Sequence, residues 1–370
     1  VPDVIGRRRW FFLISAILIV PGLVFTLLGP LTGGAVGLRF SIDFTGGTQW
    51  EIRFEDRAVT PAQVREVLAG QGFGDATARV ASDDYILIRT RPIGFVEPAE
   101  PTPTPPAGGQ PTPTPPGEGE SSPAPPAEAE PTPIPAPPGQ AEPAPPGEVT
   151  RTGEIGTLAA ALEAGLGPIE SQRSLTTIGP IISAELTQQA FLLVFVGSLG
   201  ILLWMTFRFR DFRFGMTALA ALIHDVLVVV GSFAILGTLF GLEIDGLFVT
   251  AMLTIIGFSV HDTIVVYDRV RENRYRFAGE RFATIVNHSI FQTLARSINT
   301  SLVVMFTLTG LLLFGGEALR PFVVALLIGI ISGTYSSVFN AAPLLTVWEE
   351  WDLARRERRS AGRPPRHAHT

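Results

Sequence analysis

Apolar residues along this chain gather into six long runs, at about 10–29, 189–207, 215–238, 246–268, 298–316 and 321–347. Each approaches or exceeds the roughly 20 residues an α-helix needs to cross about 30 Å of hydrocarbon. Glycine and proline inside the runs are compatible with membrane helices. The pattern predicts an α-helical polytopic membrane protein with six transmembrane helices.

Between the first two runs, over residues 30–188, the period changes. Trp50, Ile52 and Phe54 alternate with polar neighbours, as a half-buried strand should. Gly46-Gly47 predicts a hairpin turn between a strand over 39–44 and another over 48–54, a reading preferred to an anion-binding loop. Thr60, Pro61 and Gln63 supply a helix N-cap, a first-turn proline and a capping-box partner, and Val64, Val67 and Leu68 continue as a helical stripe. Another strand is expected over 85–90, a second helix on Ile155, Leu158, Leu162 and Leu166, and a closing strand over 172–178. Two helices on one antiparallel sheet form a ferredoxin-like α+β head domain. Residues 97–148 interrupt it with proline-rich repeats that lack a core-forming set, which predicts a disordered tract of polyproline II character. It serves as a spacer or is an insertion tolerated at a loop tip.

Within a connection over 269–297, Phe282, Ile285, Val286, Ile290 and Leu294 recur at helical spacing, which predicts an amphipathic helix on the cytoplasmic membrane face. Arginine distribution sets the orientation. Arginines cluster before the first run (residues 1–9), between the second and third, after the fourth, and in a tail over 348–370, while residues 241–245 have none. By the positive-inside rule both termini are cytoplasmic and the head domain is extracytoplasmic, in the cell (inner) membrane.

Composition adds exclusions. Hydrophobic residues make up 46% of the chain, and the net charge of -6 says little about partners. There is no cysteine and no lysine, which removes disulfides, thiolate metal sites, Schiff bases and lysine phosphate loops. No metal-ligand spacing, nucleotide loop or nucleophile triad is visible, so neither an enzyme, a cofactor nor a nucleic-acid partner is expected. The chain begins at Val1 rather than Met, which points to a few absent N-terminal residues, and the first run reads as a retained helix rather than a signal peptide.

Asp262 is the outstanding residue, a carboxylate about 9 Å inside the fourth run at about 1.5 Å per residue. Charge at membrane depth is expensive and usually functional. His224 and Asp225 in the third run reach a similar level, and His261 adjoins Asp262. Such a group suits proton conduction; the alternative is a polar pair that holds helices together. Arg296 opens the fifth run, either reaching inward as a counter-charge or snorkelling to the interface.

The run IIGFSVHDTIVVYDRVREN over 255–273 closely resembles the signature of the SecF family of bacterial protein-export subunits. IDFTGGT at 42–48, IGP at 178–180, His224-Asp225 and GIISGTYSS at 329–337 follow in family order. The resemblance implies half of an RND-type transporter, a member of that superfamily, pairing with SecD and acting at the SecYEG channel with YajC. It implies use of the proton-motive force in late export of unfolded preproteins. It also implies that the residues matching Asp262 and Arg296 take part in proton conduction. His261, where family members often have Asn, and the proline-rich tract depart from the pattern. A non-conducting assembly subunit and half of a small-molecule exporter remain alternatives.

Overall fold

Six helices in a computed structural model of the chain are long and apolar enough to cross a membrane. The structure describes residues 3–33, 36–93 and 149–361. The whole proline-rich tract at 97–148, with its expected disorder, and the last nine residues of the tail lie outside the described residues. The chain divides into two compact units, a helical one and a head unit, Gly46–Pro180.

In the helical unit, α1 spans Arg8–Leu31 and a short turn, α2, spans Ile42–Thr45. The long helices α5 (Pro180–Phe209), α6 (Phe212–Phe240), α7 (Gly246–Arg276) and α8 (Phe282–Phe314) follow. The sixth crossing is composite: α9 (Arg320–Ser336), a π-helical turn (Ser337–Ala341), then α10 (Ala342–Ala361). Half of the most apolar stretch is buried in α6 and in α7 and 56% in the sixth crossing, against 6% in α5. The bundle interior is therefore built by α6, α7 and α9. Buried positions on α7, from Phe248 through Ile255, Ser259 and Asp262 to Val266, recur with the helical period.

Helix ends follow local chemistry. Asp211 caps α6 by accepting from the Arg213 amide, Asp245 caps α7 by accepting from the Phe248 amide, and Gly241 ends α6 at φ 69°. Close crossings use glycine. Gly22 of α1 meets Gly231 of α6 so tightly that a Cβ on Gly22 would stand 2.4 Å from Gly231 Cα.

Two sequence expectations are corrected. The stripe at 282–294 is not a separate surface helix: α8 runs unbroken from Phe282 to Phe314. Its Val286 and Ile290 pack into the bundle core and Ile285 is buried, so the amphipathic face lies against protein rather than on lipid. The connection between α7 and α8 shrinks to residues 277–281. The residues at 39–44 form no hairpin strand. Phe40 makes a lone bridge to Ile244, with Ser41 N to Ile244 O at 2.8 Å and Ile244 N to Arg39 O at 2.7 Å. Asp43 Oδ2 accepts from the Gly246 amide at 2.7 Å. Two backbone bonds of this strap go to the α6–α7 loop, and Ser41 O accepts from the Phe44 and Thr45 amides in the α2 turn, so the segment pairs there and not as a hairpin strand.

In the head unit β1 (Gly47–Phe54), α3 (Pro61–Gly70), β2 (Thr77–Val80), β3 (Ile86–Thr90), α4 (Gly153–Leu166) and β4 (Ile169–Ile178) occur in that order. The sheet order β2-β3-β1-β4, all antiparallel, with two helices is the expected ferredoxin-like arrangement. The Thr60–Gln63 capping box forms as read from the sequence. Trp50, Ile52, Val64, Leu68, Leu158 and Leu162 fill the core between sheet and helices. Strand β2, with mostly exposed residues, carries no alternation for sequence reasoning to find.

Candidate functional site

Two carboxylates lie inside the helical bundle, each ringed by serine hydroxyls. Asp225 of α6 is 1% exposed. Its Oδ1 accepts from Ser332 Oγ of α9 at 2.7 Å, and its Oδ2 accepts from Ser259 Oγ of α7 at 2.6 Å and from Ser336 Oγ at 2.7 Å. His224 Nδ1 faces Oδ1 at 3.1 Å. With Asp225 ionised, that nitrogen donates to it. Nε2 is buried and has no partner among the described residues.

Asp262 of α7 is also buried. Its Oδ1 accepts from Ser297 Oγ of α8 and its Oδ2 from Ser337 Oγ of the π-helical turn, both at 2.5 Å. Ser336 and Ser337, adjacent in the chain, thus serve different carboxylates on different helices. Among the described residues no arginine forms an ion pair with either acid. Hydroxyl donors replace the cation that a buried carboxylate usually has.

Packing places these donors. Gly333 lets α9 approach Ser259, and Gly329 one turn earlier lies against Ile255 of α7. Ser301 Oγ and Thr334 Oγ1 stand 2.5 Å apart and tie α8 to α9. Below the cluster, Tyr267 bonds to Thr217 at 2.6 Å and to Ala341 O at 3.1 Å, which links α7 to α6 and to the π-helical turn. π-Helical turns inside long helices occur frequently at functional sites.

The structure brings together three of the sequence-predicted residues, His224, Asp225 and Asp262, in one polar interior. The other two stand apart. His261 is exposed on α7, and Arg296 is exposed on α8 with no ion pair among the described residues. The reason is helical geometry: each lies one residue, about 100°, from a buried position, Asp262 and Ser297 respectively. Sequence reasoning missed the serines. Part of their signal was present in GIISGTYSS, where Ser332 and Ser336 stand four residues apart on one helical face and Ser337 follows next to them.

At the other end of α7, burial pushes the carboxyl of Asp245 above the ordinary aspartate range, and the neighbouring Asp43 carboxylate adds to the rise. At the opposite ends of the helices, Arg213 binds Asp211 at 2.7 Å and also Glu349, while Arg274 reaches Glu349 at 3.1 Å. Arg208 and Asp268 pair at 2.9 Å, and Arg269 and Arg276 both bind Glu272. The described residues hold no group of side chains suited to a metal ion.

Residues 160–351 match the family described as protein export membrane protein SecD/SecF, C-terminal, and residues 33–56 match the SecD/SecF GG motif. The chain is 42% identical over 365 residues to the protein translocase subunit SecF of Thermobaculum terrenum, with 97% of each covered. It is 34% identical to that of Anaerolinea thermophila, over 94% of this chain and 95% of the relative. Among solved structures it resembles SecDF, a translocon-associated membrane protein from Thermus thermophilus, with TM-score 0.68 and 28% identity. That match covers 94% of this chain and 39% of the longer SecDF chain.

Proposed function

The chain belongs to the SecD/SecF family of protein export membrane proteins and is an accessory subunit of the Sec protein translocase, and we propose that it carries protons through Asp262 to drive export. The observation that carries this reading is a buried carboxylate with two hydroxyl donors, in a helix apolar enough to span a membrane. A carboxylate so placed changes its charge by one unit when it takes a proton, and each charge state demands different partners. Asp225, in the same interior, serves as a second proton-holding group, with His224 Nδ1 steadying its charged form.

Arg296 enters the reading at the deprotonated stage, where inward rotation of its side chain past Ser297 would offset the charge of Asp262. His261, exposed on α7 beside Asp262, would tune that approach. The relative that joins SecD and SecF in one chain supports pairing of this chain with a SecD partner, which completes an RND-type transporter. Partners in the membrane are then the SecYEG channel, YajC and the exported preprotein. The arginine bias supports cytoplasmic termini and an extracytoplasmic head unit, in the inner membrane.

The test is proton uptake by lipid vesicles that hold this chain with its SecD partner. Wild type should conduct under an imposed gradient and Asp262→Asn should not. Equal uptake by both would reject the reading. Saturation of both acids by serines also fits a subunit that only holds helices together, and that subunit would conduct in neither form.

A further inference from the structure

Protonation changes what a carboxyl asks of its neighbours. The ionised group only accepts hydrogen bonds, whereas the protonated group must also donate one. A hydroxyl that donates to the ionised acid has to turn its own hydrogen elsewhere before it can accept the acid proton. That turn needs a second acceptor within reach.

Five serine hydroxyls face Asp225 and Asp262, and they are not equivalent. Ser259, Ser297 and Ser332 have the carboxylate as their one hydroxyl acceptor among the described residues. Ser336 Oγ stands 2.7 Å from Asp225 Oδ2 and 3.2 Å from Gly333 O. Ser337 Oγ stands 2.5 Å from Asp262 Oδ2 and 3.1 Å from Thr334 O. The two hydroxyls with an alternative acceptor are thus the consecutive pair where α9 passes into the π-helical turn.

Resting on the reading of Asp262 as a proton carrier, we propose that Ser336 and Ser337 are hydroxyl rotors, positioning residues that let Asp225 and Asp262 take up and release protons without movement of the helices. When a proton delivered from water binds Asp262 Oδ2, a new O–H bond forms and the charge of the acid goes from minus one to zero. The Ser337 hydrogen turns to Thr334 O, and Ser337 Oγ accepts the acid proton. Release reverses both steps and no other bond breaks. Ser297, with no second acceptor, keeps donating to Oδ1 throughout, which directs the proton to the Ser337 side. Ser336 performs the same turn for Asp225 Oδ2 with Gly333 O.

In the bundle interior the titratable groups besides Asp262 are Asp225 and His224 on α6, Tyr267 on its own helix and the half-buried Tyr335 on α9, whose hydroxyl donates to Phe11 O at 2.8 Å. The α8 element contributes Arg296, which is exposed, and α7 contributes His261, also exposed. None of these supplies the acceptor that Ser337 supplies.

Infrared spectroscopy of the full chain in lipid vesicles reads the proposal through the carbonyl stretch of the protonated acid, followed across pH. The band lost in Asp262→Asn belongs to Asp262. Ser337→Ala should raise its midpoint by about one to two pH units, because a donor to the charged form is removed, and should also move the band, because the acid proton has lost its acceptor. Ser337→Thr should restore both. Ser297→Ala should raise the midpoint and leave the band position in place, which separates a rotor from a plain donor. An unchanged midpoint and band in Ser337→Ala, or a band that moves equally in Ser297→Ala, overturns the rotor while Asp262 remains a titrating carrier. A wild-type spectrum with no band assignable to Asp262 overturns the carrier reading and the rotor with it.

Discussion

Gly333 of α9 sits directly on Ser259 of α7, so that an added Cβ would stand 3.1 Å from Ser259 Cβ and 3.3 Å from its Cα. Ser259 is the residue that donates to Asp225 at 2.6 Å, so the glycine sets the geometry of a buried acid it never touches. Gly333→Ala should push α7 away, weaken that bond and cost about 1–3 kcal/mol by overpacking. Gly257→Ala, with nothing within 4 Å of the new methyl, should be neutral in the same assay. Thermal unfolding in detergent compares the two.

The crossing of α1 and α6 depends on backbone contact between Gly22 and Gly231. A Cβ on Gly231 would stand 2.8 Å from Gly22 Cα and 3.2 Å from its carbonyl carbon. Backbone cannot rotate away as a side chain can, so Gly231→Ala should separate the helices. The expected outcome is a lower unfolding temperature and protease access at α1, whereas Gly200→Ala, which meets nothing within 4 Å, should change neither.

In the head unit the indole N–H of Trp50 donates to Gln172 Oε1 at 2.9 Å, and the same oxygen accepts the Thr150 amide at 3.1 Å. Gln172→Leu keeps much of the volume and strands both donors. The expected loss is about 1–3 kcal/mol per buried unpaired donor. Trp50 is the one tryptophan of residues 46–180, so its fluorescence in denaturant, taken as the difference from Trp50→Phe, reports the head alone.

The Arg151 side chain bonds to Glu163 at 2.9 Å and holds that carboxyl below the ordinary glutamate range, against the opposing effect of burial. Because the folded value is depressed, the contribution is present above the ordinary glutamate range. It is lost as pH falls through the lower folded value. Glu163→Gln should therefore flatten the acid side of the head unit's stability profile and leave its shape above pH about 6 unchanged. The Trp50 signal in denaturant at a series of pH values checks this.

Much of this architecture was legible because its causes are local. The hydrophobic runs announced the six long helices, and the Thr60–Gln63 box announced the start of α3. The 39–44 strap was misread because its partner, the Ile244 backbone, is some 200 residues away in sequence, and no alternation betrays a single bridge. The unbroken α8 was misread for a related reason. An apolar stripe with polar flanks looks the same whether it lies on lipid or against protein, and the burial of Ile285 and Ile290 decides it. In the site, Asp262 and Asp225 declared themselves as charges in apolar surroundings. Their donors did not, since serine is common in membrane helices and its partner is set by the α7–α9 crossing. The one-residue offset between Arg296 and the inward-facing Ser297 likewise appears only once the helix face is known.

Whether proton passage through Asp262 drives export is read from secretion of a preprotein in membrane vesicles under an imposed proton gradient, wild type against Asp262→Asn, at equal amounts of subunit in the membrane. The gradient-dependent stimulation should disappear in Asp262→Asn while gradient-independent secretion persists. Undiminished stimulation in that variant would contradict a driving role for Asp262.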